Sequence, residues 1–392
     1  MGMENLGRRG FLKSVGAAGM VSALPESAFA QAGGGAMTHE VAAPGPGANL
    51  PQHAVKFAVI GLDHDHIWSM VEALVRGGGQ PVAFYSDLPL RAAKFLNLYP
   101  QARRAGSEDE ILNDPSIQLV ASAGINNLRA PLGLRVMRHG KDFYSDKPAI
   151  TTLEMLAEVR KTIAETGRIF AIMYSERLGV PAAVQAGYLI QQGAIGKVVQ
   201  TISIAPHQVN APSRPEWFWD PVQYGGILAD IGSHQADQFV YYTGSTEAQV
   251  VASQIANVRH PEHPKFQDFG DMMLSGNGGA GYVRVDWFTP DGLGVWGDGR
   301  LFILGTEGYI EVRKYVDVVG RPGGNHLFIV DGKQARYIDC SKVVLPFGAQ
   351  LLADVVNRTH TAQDQQQALL ATELVLQAQL HAKVLHLSAT GR

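Results

Sequence analysis

The chain has 392 residues, of which 46% are hydrophobic and 18% charged, with a formal net charge of −3. This is ordinary globular composition, long enough for two domains, and it lacks the basic tract with interleaved aromatics that a nucleic-acid partner would demand. The lone cysteine, Cys340, excludes any intrachain disulfide, and no neighbouring histidine marks it as a reactive thiol.

The N-terminus reads as a processing segment outside the fold. Arg8 and Arg9 precede Phe11, Leu12 and Lys13, a short apolar stretch follows, and Ala28-Phe29-Ala30 offers a small-x-small cleavage site before Gln31. Residues 1–30 resemble a twin-arginine export signal, so a periplasmic or otherwise exported location is expected. The apolar stretch is too short for a stable anchor, and no membrane association is expected after its removal. Residues 31–53, rich in Gly, Pro and Ala without a period, read as a flexible linker.

From Lys56 onward, strands and helices alternate. "KFAVI" (56–60), "PVAFYSD" (81–87), "LVASA" (119–123), "KDFYSDKP" (141–148) and "RIFAIMYSE" (168–176) are short apolar runs, as buried parallel strands are. Helices fill the gaps: His66 to Gly77, a segment opened by the capping-box spacing Ser107/Glu110, "APLGLRVMRHG", and a segment opened by Thr151/Glu154 that runs to Gly167. This rhythm predicts a doubly wound, Rossmann-type parallel sheet over residues 54–172. After one amphipathic helix (about 180–193) the pattern changes to serial strands, with a turn at Asp331-Gly332. Residues 173–392 therefore read as an α+β domain built on a large, mostly antiparallel open sheet. A long last helix, about 363–385, is expected to pack back on the first domain.

The first strand runs into an unusual turn, "KFAVIGLDHDHIWSM". A dinucleotide turn uses one glycine for the bend, a second for backbone approach to the pyrophosphate and a third for helix–strand packing. Gly61 supplies the first, while Asp63 and His66 occupy the other two positions. An aspartate there can cap the helix, and the helix N-terminus still favours an anion. Asp63, His64, Asp65 and His66 are metal-ligating types, but four adjacent residues at a helix start cannot all point at one ion, so no metal is expected. Asp87 ends the second strand, where an acid accepts from ribose hydroxyls and disfavours a 2′-phosphate, which points to NAD over NADP. The alternative is a solvent-facing turn residue before Pro89.

Two later stretches, "SDKPAI" (145–150) and "YGGILADIGSHQADQF" (224–239), resemble the glucose–fructose oxidoreductase/inositol dehydrogenase (Gfo/Idh/MocA) family. "LIQQGAIGKVVQ" and "FILGTEGYIEV" extend the resemblance, which covers nearly all of the chain after the linker. It implies that Lys147 reaches both nicotinamide ribose and substrate oxygen, with Asp230 and His234 completing the catalytic set. His234 would take the hydroxyl proton as hydride leaves, Lys147 would stabilise the developing alkoxide, and Asp230 would orient them. Asn126 and Asp146 would join Gly61, Asp63, His66, Asp87 and Lys147 around the cofactor. The sequence departs from the family pattern at Asp146 (usually Glu), Ile125 (usually Pro) and Arg129 (usually His). An imidazole suits proton abstraction, and Asp230 and His234, four apart, share a helix face.

Sugars present apolar C–H faces that stack on indole, so "RPEWFWDP" makes Trp217 and Trp219 candidates for substrate contact, sharing one face if that piece is extended. Arg177, Asp230 and His234 are further substrate-binding candidates. Trp287 and Trp296 are weaker ones. The resulting expectation is an exported oxidoreductase, placed where no free NAD pool exchanges with it, that holds its NAD tightly and moves hydride at a hydroxyl-bearing carbon of a sugar or cyclitol, as a homo-oligomer. The alternatives are an NAD-dependent redox-neutral glycosidase and a non-catalytic sugar-binding protein on the same fold.

Overall fold

The computed structural model describes residues 37–387. The expected export signal lies outside the described residues. The chain enters as an edge strand, β1 (Thr38–Val41), paired in parallel with residues Arg336 to Asp339. This corrects the expectation of a flexible linker for its described part, residues 37–53; residues 31–36 lie outside the described residues. Ala42 is buried and donates to the carbonyl of Asp339 at 2.8 Å, and Val344 donates to the carbonyl of Pro44 at 2.9 Å, so backbone pairing and burial order the segment.

The first domain contains β2 (Lys56–Ile60), α1 (His66–Arg76), β3 (Gln80–Tyr85), α2 (Pro89–Leu98), β4 (Arg103–Arg104) and α3 (Glu108–Leu112). It continues through β5 (Leu119–Ser122), α4 (Asn126–Arg138), β6 (Asp142–Asp146), α5 (Leu153–Thr166) and β7 (Phe170–Met173). Its six strands are parallel, in the order β4-β3-β2-β5-β6-β7. The order reverses between β2 and β5, so their C-terminal ends flank a crevice. Ser107 caps α3 by accepting from the Glu110 N–H, as its spacing predicts. The cap of α5 is Thr152, which accepts from Met155, one residue later than the expected Thr151.

The second domain opens with α6 (Ser175–Leu178), α7 (Pro181–Gln191), β8 (Val198–Pro206), α8 (Pro221–Tyr224), α9 (Ile227–Asp230) and α10 (Gly232–Thr243). Then come β9 (Ala248–Ala256), β10 (Phe269–Gly276), β11 (Gly279–Asp286), β12 (Arg300–Gly305), β13 (Gly308–Arg313), β14 (His326–Asp331) and β15 (Ala335–Asp339). The chain closes with α11 (Phe347–Asn357), α12 (Gln365–His381) and β16 (Lys383–Val384). The ten-stranded sheet runs β1-β15-β14-β13-β12-β8-β11-β10-β9-β16, antiparallel except where β1, β11 and β16 pair in parallel with β15, β8 and β9. On β10 to β13, buried Met272, Leu274, Val283, Leu301, Ile303 and Ile310 alternate with exposed Met273, Leu304 and Tyr309. One sheet face therefore packs on helices and the other stays open.

The last helix ties the two domains together. The Gln365 side chain accepts from the Phe170 N–H at 3.0 Å, Gln363 accepts from the Ile172 N–H at 3.0 Å, and the Tyr174 hydroxyl meets Thr372 at 2.9 Å. A single apolar core accordingly runs from the parallel sheet into α9, α10 and α12. Among the described residues no helix is long and apolar enough to cross a membrane.

Candidate active site

The crevice is walled by two glycines. Gly61 follows β2 with φ 84°, and a Cβ on it would lie 2.8 Å from the Cα of Gly124 beyond β5. Only glycine suits that backbone and that approach. Beside them is a pocket of about 250 Å³ whose lining includes Gly61, Asp63, Ser86, Asp87, Gly124 and Ile125. Asp87 stands just past the end of β3 and accepts from the Tyr85 hydroxyl at 2.8 Å. Burial pushes the Asp63 carboxyl above its ordinary value, which eases its neutralisation beside an anionic ligand.

The four residues 63–66 divide by direction. Asp63 lines the pocket just described, and Asp65 turns to Arg91 at 2.9 Å. His64 and His66 turn to Asp146 at the end of β6, each placing Nδ1 2.8 Å from one carboxylate oxygen. Asp146 also accepts from the Lys147 N–H at 2.8 Å and lies 3.2 Å from the Arg129 guanidinium. Against the upward pull of burial, His66, Arg129 and His64 hold its carboxyl well below the ordinary value. Burial, then the neighbouring His66, lowers His64 to about 4. His64 is therefore neutral at pH 7, with Nδ1–H donating and the Nε2 lone pair free of that bond. His64, His66 and Asp146 offer metal-ligating atoms within 4.8 Å of one another. Arg129 and the Lys147 N–H already engage the carboxylate, so its evident work is to orient two imidazoles.

Arg129, which stands where the family usually has His, is fully buried. It donates to the carbonyls of Gly124 at 2.7 Å, Lys147 at 2.6 Å and Pro148 at 3.2 Å. It thereby ties the segment after β5 to the segment after β6. The Lys147 ammonium donates to Asp230 at 3.0 Å, joining β6 to α9 across the domain boundary. Asp230 is held below its ordinary value because Lys147 outweighs burial. His234, one turn on in α10, is 2% exposed, its ring centre 6.4 Å from that of His66, and its Nδ1 is sealed in protein without a partner among the described residues. Burial, then the charge of Lys147, pushes it well below the usual histidine range. It makes no hydrogen bond to Lys147 or Asp230 among the described residues.

Lys147 and Asp230 border a second cleft of about 400 Å³, lined also by His64, Asp65, His66, Asn126, His207, Gln208, Arg214, Trp217, Phe218, Trp287 and Trp296, whereas the expected catalytic His234 is buried and is not among its lining residues. Asn126 donates to the Tyr224 carbonyl at 2.9 Å, bridging α4 to α8. His207 is lowered to about 4 by burial and directs Nδ1 at the Ala205 carbonyl, 3.2 Å away.

Several expectations are corrected by this geometry. Asp146 is fully buried and its oxygens are occupied by protein donors, so it serves the site by holding His64, His66 and Lys147 and does not face the cofactor crevice. Arg177 is no cleft residue. It forms a buried two-point ion pair with Asp237, at 2.6 and 2.8 Å, and covers the Tyr241 ring. Residues Glu216–Trp219 form a 3-10 turn in place of an extended piece, so Trp217 and Trp219 diverge. Trp217 enters the cleft, whereas Trp219 stacks on His263 at 3.9 Å. Trp287 and Trp296 take its place. Gly61, Asp63 and Asp87 gather in the first pocket, and His66, Asn126, Lys147, Asp230 and Trp217 in the second. Gly124, His207 and Arg214 carried no sequence signal of their own.

A parallel sheet with its switch point open to a crevice, joined by a Lys–Asp pair to an open-faced sheet domain, defines a two-domain class of dinucleotide-fold protein. The family model described as the GFO/IDH/MocA C-terminal domain matches residues 184–311. A crystal structure of an oxidoreductase candidate from Erwinia carotovora atroseptica SCRI1043 is 47% identical, covers 84% of this chain and 99% of its own, and superimposes with a TM-score of 0.82. The chain belongs to the Gfo/Idh/MocA family. Scyllo-inositol 2-dehydrogenase (NAD(+)) of Bacillus subtilis is 25% identical over 300 residues, 71% of this chain and 81% of that enzyme. D-xylose dehydrogenase of Paenarthrobacter nicotinovorans is 25% identical over 131 residues, 32% of this chain, and the match spans only 34% of that enzyme.

Proposed function

We propose that this protein is an exported oxidoreductase that moves hydride between a nicotinamide cofactor and a hydroxyl-bearing carbon of a sugar or cyclitol. The observation that carries the reading is the Lys147–Asp230 pair, 3.0 Å long, in a cleft walled by three indoles beside the Rossmann crevice. The residues fit a dinucleotide: two facing glycines free one wall, and Asp87 stands just past β3 at the same pocket. Gly61, Asp63, Asp87 and Gly124 would hold the adenosine half, and Asn126 and Lys147 the nicotinamide half. The cofactor supplies the hydride acceptor or donor. Asp87 favours NAD, because a 2′-phosphate would meet its carboxylate.

The chain's own groups do the rest. Lys147, its charge balanced by Asp230, donates to the substrate oxygen and stabilises negative charge as the hydroxyl proton leaves. His234, neutral because of burial and Lys147, accepts that proton. Trp217, Trp287 and Trp296 line the cleft and supply apolar surface for the C–H faces of the sugar ring. Export rests on the Arg8-Arg9 segment and its cleavage site. Assembly into a homo-oligomer is supported by the exposed Val199, Val251, Met273, Leu304 and Tyr309 of the open sheet.

A second reading has its own support. His64 and His66, oriented by one carboxylate and bordering the same cleft, could accept a C–H proton next to a transient ketone, giving a redox-neutral elimination. One experiment separates these outcomes. The purified protein is denatured, its released nucleotide identified by mass spectrometry, and the native protein assayed with sugars at the reduced-nicotinamide absorbance. Bound nucleotide with a rise in absorbance supports the oxidoreductase, and aglycone release without net change supports the elimination. Absence of nucleotide binding, with NAD supplied, sinks both.

A further inference from the structure

Among the described residues, one cation of the second cleft has no ion-pair partner, although the carboxylates of Asp230 and Asp65 attract it from farther off. Lys147 is paired with Asp230 at 3.0 Å and Asp65 with Arg91 at 2.9 Å. The Asp146 carboxylate, behind the two imidazoles, lies 3.2 Å from Arg129. Arg214 remains, with no carboxylate within ion-pair distance among the described residues. It does not wave freely. Its Nε donates to the Val209 carbonyl at 2.6 Å, and Nη2 donates to the Gln208 carbonyl at 3.3 Å. Its flat face lies over Phe218 at 4.4 Å and Trp287 at 5.0 Å. Nη1 is left without a protein acceptor among the described residues.

A partly buried guanidinium with no counter-ion is costly, because its desolvation is not repaid by a partner. Cation–π contacts and carbonyl bonds offset part of that cost but leave the net charge in place. They also immobilise the group before a ligand arrives, which removes an ordering cost from binding. A neutral ring needs no such charge: three indoles and neutral acceptors suffice for it. A ligand that brings its own anion into the cleft removes the imbalance.

We propose that Arg214 recognises an anionic substituent on the substrate, so that the substrate class is an acidic sugar, such as a uronate, an aldonate or a sugar phosphate. This rests on the sugar oxidoreductase reading above for turnover, though not for binding. It names the charge of the ligand, and carboxylate and phosphate are two sources of the same chemistry.

The test compares matched ligands. Glucose, galactose and mannose are assayed with NAD against their uronates and their 6-phosphates, in the wild-type protein and in Arg214→Met. A charge-assisted hydrogen bond to one of the acids predicts a kcat/KM about 10- to 100-fold above that of its neutral counterpart. In Arg214→Met the ratio collapses to near one. The uronate and phosphate arms identify the anion. Equal or better use of the neutral sugars, or a ratio that survives the substitution, overturns the proposal. Binding is read independently by quenching of tryptophan fluorescence, with Arg214→Gln as a second variant should the Met variant fail to fold. Saturable quenching by an acidic sugar that is lost in the variant, without any turnover, upholds the anion site and sinks the oxidoreductase reading. No quenching by any acidic sugar overturns the anion site itself.

Discussion

Replacing Asp146 by Asn tests whether one buried carboxylate organises the site. It is fully buried and faces three hydrogen-bond donors, the Nδ1 atoms of His64 and His66 at 2.8 Å and the Lys147 N–H at 2.8 Å, with the Arg129 guanidinium charge 3.2 Å away. Asn keeps one acceptor oxygen and presents an amide nitrogen that cannot accept. One imidazole N–H and the Arg129 charge would lose their partner. Removing one member of a buried ion pair costs about 3–5 kcal/mol, because the other charge stays buried. Arg129 keeps three carbonyl acceptors, which places its share at the low end. The orphaned imidazole adds about 1 kcal/mol. A loss of roughly 3–4 kcal/mol is expected, since neighbours sharing partners do not add fully. Urea unfolding at pH 7, followed by tryptophan fluorescence, measures it. The sign with pH follows from the depressed native value of Asp146. Its contribution is fully present above the unfolded value of about 3.9 and is lost only as pH falls through the lower native value. The difference between wild type and variant should thus hold steady from pH 8 to pH 5 and shrink below about pH 4. A loss under about 1 kcal/mol at pH 7 would show that Arg129 does not depend on this carboxylate.

The other expectations concern turnover and the crevice. Lys147→Met should lower kcat by roughly 10²–10³, the scale of losing one donor to a developing oxyanion, and unchanged kcat would remove Lys147 from the chemistry. His234→Gln should lower kcat by about 10²–10⁴. Because His234 is held neutral well below its ordinary value, wild-type kcat should pass through pH 6.5 undiminished, and an acid limb centred there would assign the proton to another group. Gly61→Ala forces a side chain into a backbone of φ 84° and against Gly124. It should destabilise by more than about 1 kcal/mol and leave the purified protein without nucleotide, which mass spectrometry of the denatured sample reads directly.

Most of the parallel sheet was legible because its strands are short, apolar and punctuated by Gly, Pro and Asp. Helix α2 was not, since "PLRAAKFLNL" buries only Ala92 and Phe95 and shows a weak stripe. Strand β10 was hidden by its mixed surface, where exposed Met273 follows buried Met272. Lys147 and Asp230 lie 83 residues apart, so their contact was accessible through a family motif and through no local spacing. Arg177 shows the opposite failure. A charged residue next to a motif looks available until the fold supplies Asp237, 60 residues away, as its partner. Trp219 failed for a local reason, because a 3-10 turn does not keep the alternation of a strand.

The turn with two missing glycines makes sense as a redistribution of tasks. Close approach in the crevice is secured by Gly124 opposite Gly61, so residue 63 need not be glycine for that wall to stay clear. Residues 64 and 66 are then free to reach across β5 to Asp146 on β6. The next residue, just past that strand, is Lys147, whose N–H is held by the same carboxylate and whose carbonyl is held by Arg129. A ligand that displaces or protonates either imidazole must therefore alter the charge around Asp146, and Asp146 positions the backbone of the lysine that meets Asp230. Rigid support of this kind is what keeps a reacting group within a fraction of an ångström of its working position. On that logic, exchanging Asp63 and His66 for the usual glycines would restore a conventional turn and at the same time strip one imidazole from Asp146 and loosen Lys147.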